Sequence, residues 1–287
     1  METLDQNLLS SSTRSQLLSL LAVQFRDHYV YPQTGQVLAA ALEEWATQET
    51  TDKTATASWC KALTARLRQL IPDKHLNVFP QTVEETRGQA PHRGIQKFEF
   101  LNGDIAYLEL TGFFELEEAA PMMDAVMTLA RPSKALIIDL RRNGGGSGDS
   151  VLHLCSHLLP ANTHLQTFHQ RGSNFQRQTW TLPYLQHRDT EKPVVVLTSG
   201  RTGSAAEEFC YNLQALKRAT LIGEPTAGAA HTVSIISLNE QVGAFIPSGH
   251  PISPYTQTHW EGIGVQPDIH VKSEDALQVA LDHLSKP

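Results

Sequence analysis

The chain is poor in the features that several large functional classes require. Basic residues are outnumbered, 23 Lys and Arg against 30 Asp and Glu, for a formal charge of −7. That balance lacks the basic face of nucleic-acid binders and of proteins held to anionic membranes, so neither partner is expected. Cysteine is scarce. Cys60, Cys155 and Cys210 are odd in number, far apart and set among apolar or helical neighbours, which excludes a disulfide framework and reads as reduced, buried thiols. Long hydrophobic runs are missing as well. In the first 28 residues acidic positions precede basic ones, and Ser and Gln interrupt the apolar positions. Neither a secretory signal nor a spanning helix is read there, and a cytoplasmic protein is expected.

What is present suits a large core: 287 residues, 40% of them hydrophobic, enough for one large domain or two small ones. Residues 14 to 70 read as helical, with Leu17, Leu18, Leu20, Leu21 and Phe25 on one face and Leu63, Leu67 and Leu70 at helical spacing later. From "HLNVF" onward the pattern changes to short strands at 76–79, 96–100, 104–110, 135–140, 194–198, 219–222, 231–237 and 243–246. Helical stretches at 117–130, 149–158, 203–217 and 273–284 lie between them. Continuous apolar strands such as "ALIIDL" and "VVVLT" alternating with helices predict an α/β fold with a sheet buried on both faces. The expected organisation is a helical subdomain, 1–75, followed by an α/β domain, 76–287. The polar excursion 159–192 is too long for an idle connection and reads as a cover for a site.

Four stretches carry chemistry. In "TSGRTGSAAEEF", residues 198–209, a strand runs through a glycine turn into a helix that opens at Ser204. With Glu207 three residues on, this matches a capping box. It also follows the logic of a nucleophile elbow, although Ala206 stands where G-x-S-x-G has glycine. In "ALIIDLRRNGGGSGDS", three glycines after a buried strand call for positive φ or close backbone approach and offer N–H groups to a developing anion. A dinucleotide fingerprint fails at Asp149 and a phosphate loop lacks its Lys-Ser/Thr, so no cofactor is expected. In "IPDKHLNVF", His75 follows Asp73 where the helical part meets the sheet. In "HWEGIGVQPDI", Glu261 sits beside Trp260 in a compact turn, and a carboxylate is what an imidazole base needs to fix its tautomer. A further stretch, "HLCSH", sets His153 and His157 at i and i+4 on one helix. No glutamate completes H-E-x-x-H and Cys155 points elsewhere, so it reads as an ordinary helix beside the core and no metal is expected.

Taken in order, "DKHLNV", "GDIAYLELTGFF", "IIDLRRNGGG", "TSGRTGSAAEEF", "IGEPTAGAAH" and "EGIGVQPDI" resemble the S41 serine peptidases. That family comprises the C-terminal processing proteases, the tricorn core protease and the modules of interphotoreceptor retinoid-binding protein. The resemblance spans nearly the whole chain. It implies a crotonase- or ClpP-like core of ββα units. The processing branch uses a Ser–Lys dyad with the lysine in a T-x-G-K-like stretch, where this chain reads Thr226-Ala227-Gly228-Ala229-Ala230. The lysine is absent, and the chain is not expected to hold a PDZ domain. The resemblance is therefore to the tricorn-like and retinoid-binding-like branch.

Carried over residue by residue, it implies Ser204 as nucleophile, His75 as base and Glu261 as the group orienting it. The oxyanion donors are expected in the backbone N–H groups of Ala205 and of Gly144 or Gly145. His231, close behind the missing lysine, is the alternative base, with His250 and His259 as further candidates. The implied reaction is hydrolysis of a peptide or protein substrate. A non-catalytic retinoid- or lipid-binding or protein-interaction module of the same fold is the alternative. Related folds often assemble, so a homo-oligomer is among the expected states.

Overall fold

A computed structural model of the protein describes residues 8–50, 52–81 and 92–285. The chain opens with β1 (Leu8–Leu9), α1 (Ser11–His28), α2 (Pro32–Thr47), β2 (Thr54–Ala55), α3 (Thr56–Leu70) and β3 (Asn77–Pro80). Next come β4 (Ile95–Leu101), β5 (Ile105–Leu110), α4 (Leu116–Ala130), β6 (Ala135–Asp139) and α5 (Gly148–Leu158). They are followed by β7 (His164–Gln170), β8 (Gln176–Trp180), β9 (Val194–Thr198), α6 (Ala205–Ala215) and β10 (Thr220–Gly223). The chain ends with β11 (Thr232–Ser237), β12 (Val242–Ile252), β13 (Ile269–His270) and α7 (Ala276–Leu284). The fold is α/β. Within the 159–192 excursion lie β7 and β8, neighbours in one sheet. Their polar sequences hide them from an apolar pattern, yet Gln166 is buried and its amide donates to Asn212 Oδ1 at 2.8 Å.

The described residues divide into two units. The first takes residues up to 81 with 169–176 and 231–250, and the second takes 92–168, 177–230 and 251–285. The first unit thus reaches beyond the helical stretch 1–75 expected from the sequence, for a reason visible in its core. Leu17, Leu21, Phe25, Leu38, Leu42 and Leu67 of the helices share one apolar cluster with Val78 of β3 and Val242, Ala244 and Ile246 of β12. Each Leu, Ile, Val or Phe among them, removed from water, contributes about 1.5–3 kcal/mol, so helices and strands stabilise one another. Ser10 caps α1 by accepting from the Thr13 N–H, and Pro32 starts α2. Gly35 lets the two helices cross closely: a Cβ there would lie 2.4 Å from the Phe25 carbonyl oxygen. In this unit β12 pairs antiparallel with both β3 and β11.

The second unit is built on a six-stranded sheet in the order β13-β10-β9-β6-β5-β4. All its neighbours run parallel except β4, which is antiparallel to β5. The strands β5, β6 and β9 are buried throughout. One face packs against α4, α5 and α6 through residues such as Leu136, Ile138, Leu154 and Phe209, and the other against α7 through Ile137, Leu197, Ala276 and Ala280. Both faces are covered, as a parallel sheet requires. The carboxyl ends of β6 and β9, where open α/β sheets place their ligands, lead into the triple-glycine loop and the Ser204 turn.

Candidate active site

The turn after β9 is tied to the loop after β6. Ser199 Oγ donates to the Arg141 carbonyl (2.7 Å), Thr202 Oγ1 to Leu140 O (2.9 Å) and the Gly203 N–H to Asn143 O (3.0 Å). Ser204 leaves this turn at φ 53° and ψ −122°, a region that residues with a Cβ seldom occupy and that tends to mark active sites. At this strand–turn–helix corner Ser204 is partly exposed, while Ala205 and Ala206 behind it are buried.

Glu207 holds the corner from beneath. It is fully buried, and its Oε2 accepts the Ser204 N–H at 2.8 Å, the carboxylate half of the capping box expected from the sequence. The same oxygen accepts the Ala229 N–H (2.9 Å), and Oε1 accepts from Thr226 Oγ1 (2.5 Å) and the Gly228 N–H (2.6 Å). A single carboxylate therefore binds the Thr226–Ala229 segment to the helix start, and Ala229, where the processing branch carries lysine, is part of that joint. The neighbouring Glu208 is also buried. Burial pushes its carboxyl up to about 7, with Arg177 opposing the rise and Asp149 adding to it.

The triple-glycine loop lies against Ser204. Gly145 adopts φ +110°, and a Cβ on it would fall 2.8 Å from both Gly203 O and Ser204 Cβ and 3.0 Å from the Ala205 nitrogen. Only glycine fits there. Gly146, at φ +136°, is pressed against Phe113, whose carbonyl accepts the Ser147 N–H at 2.7 Å. The Gly145 N–H is directed not outward but to Asn143 Oδ1, 2.9 Å away. Gly144 is exposed, with open space where a Cβ would stand.

Glu261 joins the same region by a different contact. Its Oε2 accepts the Ala230 N–H (2.6 Å), its own N–H donates to His259 Nδ1 (3.1 Å), and Trp260 Nε1 donates to Ala229 O (3.3 Å). The turn that carries it clasps the stretch immediately before His231.

In the first unit the structure gathers Asp73, Tyr29, His231 and the main chain of His75. Asp73 is 4% exposed. Its Oδ2 accepts from the Tyr29 hydroxyl (2.9 Å) and lies 2.8 Å from His231 Nδ1, while Oδ1 accepts the His75 main-chain N–H (2.9 Å). Burial alone would raise the Asp73 pKa, but the hydrogen bond and charge of His231, with the His75 N–H and Tyr29, hold it below the usual carboxylate range. At His75, burial pushes the imidazole pKa down; Asp73 opposes this, and His231 and Arg68 add to it. Tyr31 meets the His231 ring edge-on at 5.5 Å between centroids and stacks on His250, which stacks in turn on His169. Asp73 is the residue that sequence reasoning passed over. Its position two before His75 was visible, but its partner stands 158 residues away.

With this geometry in place, comparison with known proteins identifies the class. The family model for peptidase family S41 matches residues 104–271, and the chain belongs to that family. It is 30% identical over 176 residues to a carboxy-terminal-processing protease of Bartonella bacilliformis, covering 60% of this chain and 40% of that one. It is 28% identical over 165 residues to the chloroplastic carboxyl-terminal-processing peptidase 2 of Arabidopsis thaliana, covering 57% and 31%. The chain thus spans less than half the length of these relatives. Among solved structures, a lipoprotein from Streptococcus agalactiae aligns over 96% of both chains with a TM-score of 0.67 and 18% identity. The photosystem II D1 C-terminal processing protease aligns over 91% of this chain and 94% of its own, with a TM-score of 0.62 and 18% identity. At that identity the likeness is one of fold.

Proposed function

We propose that the chain is a serine-type peptidase that hydrolyses peptide bonds through an acyl-enzyme on Ser204. The observation that carries this reading is the Ser204 corner, a strained backbone at a helix mouth with the glycine loop against it, in a chain of the S41 family. The processing proteases among its relatives favour a peptide or protein as substrate. The Ala205 N–H belongs to the first helical turn, where donors have no intrahelical partner and the helix dipole favours negative charge. The second oxyanion donor is assigned to the Gly144 N–H, because that of Gly145 is committed to Asn143.

Of the bases considered, His231 is preferred to His75. Asp73 grips His231 at Nδ1, which fixes the tautomer and directs proton exchange to Nε2. His75 meets the same carboxylate through its main-chain N–H. Covalent continuity adds support: Ala229, two residues before His231, shares Glu207 Oε2 with Ser204. Asp73 then takes the orienting role expected for Glu261, and Glu261 holds the chain at Ala230.

In this mechanism Ser204 Oγ attacks the scissile carbonyl carbon as its proton passes to His231 Nε2. The oxyanion forms against the Ala205 and Gly144 N–H groups, and the imidazolium returns its proton to the departing amine. Water, deprotonated by the same imidazole, then releases the acid. Ser204→Ala tests the reading. The variant should fold, yet neither hydrolyse a peptide library nor take up a fluorophosphonate. Retained turnover would remove Ser204 from the nucleophile role, and a fluorophosphonate-inert wild type that carries a hydrophobic ligand would favour a binding module.

A further inference from the structure

Asp124 on α4 and His153 and His157 on α5 form a cluster that the peptidase chemistry does not use. The histidines are one helical turn apart, so their rings share a face of α5. His153 Nε2 lies 2.7 Å and His157 Nε2 2.8 Å from one and the same oxygen, Asp124 Oδ1. The three donor atoms all lie within 4.8 Å of one another, and the rings meet edge to face with centroids 5.2 Å apart. Both imidazoles are buried, while the Asp124 side chain is 51% exposed.

Two buried imidazole nitrogens and one carboxylate oxygen thus converge on a common point between α4 and α5. The His157 ring is also hydrogen-bonded to the backbone of His187. An imidazole held through one ring nitrogen by the backbone is set to present the other to a metal ion.

We propose that Asp124, His153 and His157 bind one divalent transition-metal ion of the zinc class, which joins α4 to α5. Two imidazole nitrogens and one carboxylate oxygen are a zinc-type donor set, with the exposed side of Asp124 leaving a position for water. The backbone contact on the far side of His157 is the kind of outer contact that orients metal-bound imidazoles. Bonds of about 2.0–2.2 Å in tetrahedral geometry separate ligand atoms by roughly 3.3 Å. The half-exposed Asp124 therefore moves outward by about half an ångström when the ion enters. Because α5 begins two residues after Gly146, the ion fixes the helix that carries the glycine loop.

The test uses the whole chain, stripped with EDTA, titrated with zinc chloride by calorimetry and melted with and without the ion. One zinc per chain is expected, with a rise in Tm. In His157→Gln and Asp124→Asn the affinity should fall at least about hundredfold and the rise in Tm disappear. His231→Ala, which removes the separate Asp73–His231 pair, should keep both. Asp124→Asn alters a half-exposed side chain and keeps the test open if His157→Gln fails to fold, which circular dichroism reports. Cobalt(II) should give the strong visible bands of a low-coordinate site in the wild type and lose them in Asp124→Asn. Absence of saturable zinc binding by the wild-type chain, or binding that survives in both variants, overturns the proposal.

Discussion

The Ser204 corner and the Asp73 cluster are built in opposite ways. The corner is a backbone construction, in which positive φ at Ser204 and Gly145, N–H groups converging on Glu207 and glycines without Cβ atoms set the geometry. The Asp73 cluster is a side-chain construction in which a phenol, an imidazole and one main-chain N–H converge on a buried carboxylate. The lesson is where each is vulnerable. Substitutions at the corner change position, and substitutions around Asp73 change protonation.

Experiments can sharpen that contrast, beginning with the largest effect. Ser204→Ala should lower peptide hydrolysis by about 10⁶-fold, as loss of a triad nucleophile does, while Tm stays close to wild type because the cap through Glu207 uses the Ser204 N–H. Asp73→Asn should cost about 10⁴-fold in kcat through the wrong imidazole tautomer, read from steady-state kinetics on a fluorogenic peptide. Glu207→Ala strands four donors, three of them buried, and should lower stability by roughly 4 kcal/mol, measured by urea unfolding. That variant breaks the corner without touching Asp73.

Glu208 yields the smallest effect, and its sign follows from its raised pKa. With the folded-state value near 7 against 4.5 in the open chain, the native state holds a proton that the unfolded state releases. Stability contributed by Glu208 is full below about pH 4.5 and is lost as pH rises through about 7, a change on the order of 3 kcal/mol. Glu208→Gln should flatten the decline of Tm between pH 5 and 8. An unchanged slope would mean that Glu208 is not the group responsible.

The same contrast explains what was legible in the sequence. The strands β5, β6 and β9 are continuous apolar runs, and the Ser204 corner and glycine loop are contiguous motifs, so their residues announce themselves. The polar β7 and β8 do not, because their alternation is carried by Gln166 and Thr179, which are buried and hydrogen-bonded. Asp73 and His231 meet only after folding, across 158 residues. His153 and His157 are a visible helical pair, but Asp124, which gives the pair its chemistry, stands 29 positions before the first of them. The odd count of scattered cysteines did read correctly: all three are free and buried.

The central claim is that Asp73-oriented His231 activates Ser204. The most direct measurement is the rate at which a fluorophosphonate labels Ser204 in His231→Ala and His75→Ala, each checked for native folding by circular dichroism. The account predicts labelling at least about 10³-fold slower in His231→Ala and within tenfold of wild type in His75→Ala. Labelling that survives loss of His231 but fails with loss of His75 would contradict it.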